Sequence, residues 1–160
     1  MMLFKYVLKS TKIILRELTD LRLKRKEDYA MHYKIQTTKQ QQFINITNKV
    51  SEAVKNSNVQ DGIVIIFVPH TTAGVTINEN ADPDVVQDMI STLNKTYPVH
   101  GDYLHFEGNS HAHIKASLMG SSCTVIIKDG KLLLGTWQGI YFCEFDGPRN
   151  REFYVKIIRG

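Results

Sequence analysis

The last third of the chain constrains the fold most. From Thr124 to Ile158 four β-rich runs follow one another: Thr124–Ile127, Leu132–Leu134, Ile140–Phe145 and Phe153–Ile158. The links between them are too short to hold a crossover helix, and parallel neighbours need a dozen residues or more, so these strands must pair antiparallel. Asp129-Gly130 is a hairpin signal, because both residues tolerate the positive φ of a tight turn between twisted strands. Gly135 and Gly139 bracket Thr136-Trp137-Gln138 and mark a bulge or a close backbone approach.

Upstream, helices and strands alternate. Met31 to Phe43 reads as an extended stretch containing the polar turn Gln40-Gln41-Gln42. Val50, Ala53 and Val54 form a helical stripe, with Thr47 as the expected N-cap and Asn56-Ser57-Asn58 as its end. Ile63–Val68, bounded by Asp61-Gly62 and Pro69, is six apolar residues long and predicts a strand buried on both faces. Val75-Thr76-Ile77 alternates up to Glu79. Asp82-Pro83 supplies a cap and a first-turn proline for a helix whose apolar face is Val85, Val86, Met89, Ile90 and Leu93, closed by Pro98. Asn109 or Ser110 caps a shorter helix that stops at Gly120. The order β, α, β, β, α, short α, then several β predicts a single α+β domain. Its mostly antiparallel or mixed sheet packs with two main helices and a short third.

Charge narrows the partners. Residues 1–30 hold eight of the twenty Lys and Arg and four of the sixteen Asp and Glu. The whole net charge of +4 therefore lies there, and residues 31–160 sum to zero. A neutral body lacks the broad positive surface that a phosphate backbone requires, so nucleic acid is not an expected partner. Residues 1–31 read as a basic amphipathic extension, with Phe4, Val7, Leu8, Ile14, Leu15, Leu18 and Leu21 at helical spacing, and 32–160 as the domain. Charges interrupt the extension every few positions, so it is not an integral membrane span or a secretory signal. Three readings of it stay open: a docked helix, a membrane-surface helix, or sequence upstream of a start at Met31. The acids from Glu17 onward weigh against organelle targeting except by an abbreviated presequence, and a cytoplasmic setting is expected. Two cysteines, Cys123 and Cys143, are too few for a disulfide scaffold or a four-cysteine zinc site.

Histidine placement carries the chemistry. His70 follows a strand, His105 sits in a polar loop, and His111 and His113 lie at the start of the short helix. Helical geometry turns His111 and His113 roughly 200° apart, so they should not share a site, while His113 and Ser117 share a face. His70, His105 and His113, with Glu79 at the end of an apolar strand row, are a candidate ligand set for Zn²⁺ or a similar divalent metal. Equally, they are candidate general acids and bases around a phosphate held at Asn109–His111. Trp137 and Gln138 suit stacking and edge recognition of a heterocycle, or a place in the core or an interface. Arg149 would hold a phosphate or pair with a neighbouring chain's acid.

Three separate motifs resemble one family. They are Pro69-His70-Thr71-Thr72-Ala73-Gly74-Val75-Thr76-Ile77-Asn78-Glu79-Asn80, Gly108-Asn109 with Ala112-His113-Ile114-Lys115-Ala116-Ser117-Leu118, and Leu134-Gly135-Thr136-Trp137-Gln138-Gly139-Ile140. Over about residues 33–160 the chain resembles the YjbQ family, described as secondary thiamine-phosphate synthases. The resemblance implies a compact α+β subunit, a homotrimer, and a polar cleft near subunit interfaces. It implies His70, Glu79, His105, His113 and Lys115 as catalytic positions, with Thr71, Thr72, Asn109, Trp137, Gln138 and Arg149 binding a phosphorylated small-molecule substrate. The implied reaction joins a hydroxymethylpyrimidine diphosphate to a thiazole phosphate and releases pyrophosphate, with Mg²⁺ or Zn²⁺ as a candidate cofactor. The alternative is a metal- or metabolite-binding trimer without physiological catalysis.

Overall fold

The structure is a computed structural model that describes residues 30–160. The readings of the basic lead-in fall on residues outside the described ones. The described elements are β1 (Met31–Gln36), β2 (Gln42–Asn45), α1 (Thr47–Ser57), β3 (Gly62–Phe67), β4 (Ala73–Glu79), α2 (Pro83–Thr96), α3 (Ser110–Met119), β5 (Ser122–Lys128), β6 (Lys131–Leu132), β7 (Gln138–Glu144) and β8 (Asn150–Arg159). The strands form two sheets, β1-β8-β3-β5-β6 and β2-β7-β4, with every pairing antiparallel. The α+β class and the antiparallel expectation therefore hold.

Alternation along the strands explains the layering. In β7, Ile140 and Phe142 face the main core, where they meet Val75 of β4, Val64 and Ile66 of β3, Phe153 and Val155 of β8, and Val50, Ala53 and Val54 of α1. Their neighbours Tyr141 and Cys143, with Phe145 beyond, point the other way and pack with Ala112 and Ala116 of α3, while Val86 and Leu93 of α2 lie against this second cluster. The two sheets thus close on one core that includes α1, and α2 and α3 cover the outer face of the three-stranded sheet. Burying each such Val, Ile or Phe is worth about 1.5–3 kcal/mol. α3 approaches β4 closely: a Cβ on Gly74 would lie 2.7 Å from the carbonyl oxygen of Gly120.

Several local expectations are met in detail. Asp82 accepts the Asp84 N–H through its side chain at 2.9 Å, and Pro83 opens α2. Asp129 and Gly130 have φ of 52° and 72°, the hairpin turn between β5 and β6. Cys123 and Cys143 are free thiols in strands, and burial pushes Cys123 up to about 11 and Cys143 higher still.

Other expectations change. β3 is buried on one face only: Val64 and Ile66 are inside, while Phe67 is exposed. The run read as doubly buried because the outer face also carries apolar residues, Ile63 and Phe67, beside exposed Ile126 and Ile158 of neighbouring strands. The extended stretch divides into β1 and β2, which belong to different sheets. Thr47 is the first residue of α1 rather than its cap, and its hydroxyl accepts the Ile140 N–H at 2.8 Å. Leu133 and Leu134 lie beyond β6. No helix among the described residues is long and apolar enough to cross a membrane.

Candidate functional site

α3 organises the largest group of candidate residues. Its inner face, at i and i+4, carries His111 and Lys115, and both are buried. Lys115 is 0% exposed, and its ammonium donates to two amide oxygens, Asn94 Oδ1 at 2.6 Å and Gln41 Oε1 at 3.4 Å. The two amides also bond each other, Gln41 Nε2 to Asn94 Oδ1 at 2.6 Å. Among the described residues no carboxylate pairs with Lys115, and desolvation by burial lowers its pKa. An ammonium removed from water usually has an anionic partner. Here its partners are neutral.

His111 is 2% exposed, and neither ring nitrogen has a hydrogen-bond partner. Burial first, then the nearby Lys115 charge, pushes its imidazole below the ordinary range. Asn109 stands at the N-cap position of α3, but its side chain does not cap: Nδ2 donates to Asp146 Oδ2 at 3.1 Å, and the buried Oδ1 has no partner. Arg149 is turned back on the same loop, with Nη2 on Asp146 Oδ2 and Nε on the Asp146 carbonyl, each at 2.7 Å. Its guanidinium is thus held by an acid of its own turn.

The outer side of α3 presents His113. Its ring meets that of His105 edge-on at a centroid distance of 5.4 Å, and the two planes stand at 83°. His105 lies 3.8 Å from Glu107 in an exposed loop. On either side of it, Leu104 and Phe106 are fully exposed, at 103% and 101%. His111 and His113 thus occupy opposite sides of the helix, as helical geometry requires.

The remaining candidates sit elsewhere. Glu79, half-buried, ends β4 opposite Gln138 at the start of β7. Tyr141 donates to the Glu79 carbonyl at 3.0 Å and to Asn80 Oδ1 at 2.8 Å. Gln138 is occupied in its own turn, where Oε1 accepts the Gly135 N–H at 2.8 Å. Trp137 is 64% exposed, so the indole is presented rather than used in this chain's core.

His70 follows Pro69, and its Nε2 accepts the backbone N–H of Glu152 at 3.0 Å. Thr71 is exposed, whereas Thr72 is buried and its hydroxyl accepts from Arg151 Nη2 at 2.8 Å. The three histidines considered as metal ligands do not converge. His105 and His113 meet, His70 is engaged with β8, and no group of three His, Cys, Asp or Glu among the described residues is placed to hold a metal ion. Among the described residues of one chain the donor set does not fit a three-ligand zinc or magnesium site.

Glu144 and Arg151 are the residues that sequence reasoning missed. Arg151 grips Glu144 with two bonds, Nε–Oε2 at 2.7 Å and Nη2–Oε1 at 2.6 Å. Glu144 also accepts the N–H groups of Phe145 and Asp146 and the Thr37 hydroxyl. This buried pair fixes the loop that carries Asp146 and Arg149. A lone acid inside the apolar run Ile140–Phe145, with a base on the strand across one short link, is the signal the sequence offers.

Comparison with known proteins agrees with the motifs. Residues 31–160 match the family model described as UPF0047 protein YjbQ-like. The chain is 60% identical over 126 residues to UPF0047 protein MJ1081 of Methanocaldococcus jannaschii, covering 79% of this chain and 91% of that one. It is 51% identical over 125 residues to UPF0047 protein YugU of Bacillus subtilis, covering 78% and 95%. A crystal structure of a YjbQ/UPF0047 protein from Clostridium acetobutylicum is 63% identical, with a TM-score of 0.79 over 80% of this chain and 99% of that one. A YbjQ-like protein from Sulfolobus solfataricus reaches the same TM-score at 31% identity, over 82% and 97%. With its three motifs, its two-sheet fold and these relatives in agreement, the chain belongs to the YjbQ (UPF0047) family.

Proposed function

We propose that the chain is a transferase of the secondary thiamine-phosphate synthase type, possessing a diphosphate-binding site built on α3. The observation that carries this reading is Lys115: a buried ammonium held by amide oxygens, with no carboxylate partner among the described residues. A ligand phosphate would supply the missing negative charge. In the proposed reaction the C–O bond between the pyrimidine methylene and the diphosphate breaks, and the electron pair leaves with pyrophosphate. The thiazole nitrogen lone pair forms the new C–N bond. Charge develops on the departing diphosphate, so a preorganised ammonium at that position lowers the barrier. His113 and His105 stand on the opposite, solvent side of the same helix, so they would hydrogen-bond the second substrate's phosphate rather than the diphosphate at Lys115, and Trp137 is free to stack on a pyrimidine. Arg149 has no part in this scheme, because Asp146 holds it.

The site would be completed between copies in a homotrimer. The fully exposed Leu104 and Phe106 beside His105 support that reading, as does α2, which has no fully buried residue. Zn²⁺ on His70, His105 and His113 would require ligands from more than one copy, and no step is routed through a metal.

The test is coupling of the pyrimidine diphosphate to the thiazole phosphate by the purified full chain, with elemental analysis of the same sample. Lys115→Met should lower kcat/KM by roughly 10²–10³-fold, and His113→Ala should lower it as well. Coupling that survives both changes sinks the assignment. Stoichiometric metal or bound metabolite with no turnover of any phosphorylated pair would favour a binding protein instead.

A further inference from the structure

We infer that the cleft between β1, β8 and the His70 loop is a separate binding site, presenting hydrogen-bond donors beside apolar surface and suited to a phosphate or carboxylate group. It goes beyond the proposed reaction and uses none of the α3 residues. Its origin is local. β3 ends at Phe67, paired with Tyr154, and the chain turns away at Pro69, while β8 extends back to Asn150. The Glu152 N–H therefore projects past the end of β3, and His70 Nε2 accepts it at 3.0 Å.

A backbone N–H can only donate, so Nε2 must present its lone pair. The neutral imidazole then carries its proton on Nδ1. Burial first, then the neighbouring Arg151 charge, hold its pKa below the ordinary imidazole range, which favours the neutral ring. In this tautomer His70 has a donor to offer and no lone pair left for a metal.

The other groups lining the cleft agree. Lys34 and Gln36 of β1 and Asn150 of β8 are exposed and contribute an ammonium and two amides. Arg151 lines the cleft from a fixed position, since its Nε and Nη2 are held by Glu144 and Thr72. The one lining carboxylate, Glu152, bonds His32 Nε2 at 2.7 Å, and Lys34 forms no ion pair among the described residues. The cleft measures about 570 Å³, within the range of roughly 300–1,000 Å³ usual for small-molecule sites. Its wall includes apolar surface from Ile35, and among its polar side chains Lys34, Arg151 and the His70 N–H outnumber the one carboxylate, so the ligand that fits brings acceptors and negative charge.

Two measurements on the full chain test this. Long-range ¹H–¹⁵N NMR of the histidine rings should show His70 protonated at Nδ1 and bare at Nε2; an Nε2-protonated or fully protonated ring at neutral pH overturns the inference. Titration with inorganic phosphate, and then acetate, should give saturable amide shifts centred on Lys34–Gln36 and Asn150–Glu152. Lys34→Met, an exposed change that leaves the core intact, should weaken that binding about tenfold, or about 1.4 kcal/mol. Response to phosphate alone identifies the ligand group as phosphate, and response to both identifies a general anion site. Shifts confined to Ser110–Lys115 would overturn this inference while supporting the proposed function. No saturable shift at the β1 and β8 residues overturns it outright.

Discussion

Glu144 and Arg151 show how much a single pair of side chains can hold. The carboxylate accepts two guanidinium bonds, two backbone N–H groups and a threonine hydroxyl, and it is fully buried. Removing one partner leaves a buried charge with nothing to offset its desolvation. Glu144→Gln should therefore cost about 3–5 kcal/mol in chemical denaturation; a loss below about 1 kcal/mol would show that the pair is solvated on the timescale of unfolding. His70 and His111 set the acid side of stability. Burial lowers both below the ordinary 6.5 in the folded chain, so the unfolded chain binds protons more readily there. Their contribution is complete above about pH 6.5 and is lost as pH falls from that value through the lower folded values. The denaturation midpoint should drop across that window, and His70→Gln, whose amide oxygen can accept the Glu152 N–H without titrating, should flatten the drop. An unchanged slope in that variant would remove His70 from the account.

At the scale of elements, position in the sequence already told much, because local chemistry and fold agree. Asp82-Pro83, Asp129-Gly130 and Gly120 mark boundaries through backbone requirements that no distant contact alters. Pairing between distant segments was less legible: β2 is four residues long, and only β7, almost a hundred residues later, makes it a strand. The site divides in the same way. His113 and Lys115 could be placed on opposite sides of α3 by counting residues, but Asn94 and Gln41 reach Lys115 from α2 and the β2 edge, and no spacing announces that. Two element-level changes test these connections. Asp82→Ala removes the α2 cap and should cost about 1 kcal/mol, with no loss expected at all if the helix start is held by packing. Gly74→Val puts a side chain against the Gly120 and Ala116 carbonyls and should cost about 1–3 kcal/mol. It should also weaken phosphate binding at Lys115 by displacing α3, whereas destabilisation without any change in phosphate affinity would separate the helix position from the site.

For the whole molecule, the decisive surface is the one that a single copy leaves uncovered. α2 turns Val85, Val86, Met89, Ile90 and Leu93 toward the three-stranded sheet and its surroundings, yet none of them is fully buried. The loop after it holds Leu104 and Phe106 entirely in solvent on either side of His105. Large apolar side chains presented together in this way mark an interaction surface. A second copy seated there would also enclose the His105–His113 pair and, by excluding water, strengthen the hydrogen bonds proposed from it to a phosphate. Sedimentation at equilibrium should find wild-type protein as a trimer, and Leu104→Asp with Phe106→Asp should release monomers whose fold, judged by circular dichroism, is unchanged. If the site is completed by the neighbour, those monomers should also lose pyrimidine–thiazole coupling while keeping their Lys115 environment. A mixture of coupling-dead His105→Ala and His113→Ala chains then decides where the pair acts. Subunit exchange restores part of the activity only if the His105 and His113 that cooperate come from different chains. With both in one chain, as they meet here at 5.4 Å, no mixed trimer contains an intact pair and the mixture stays silent.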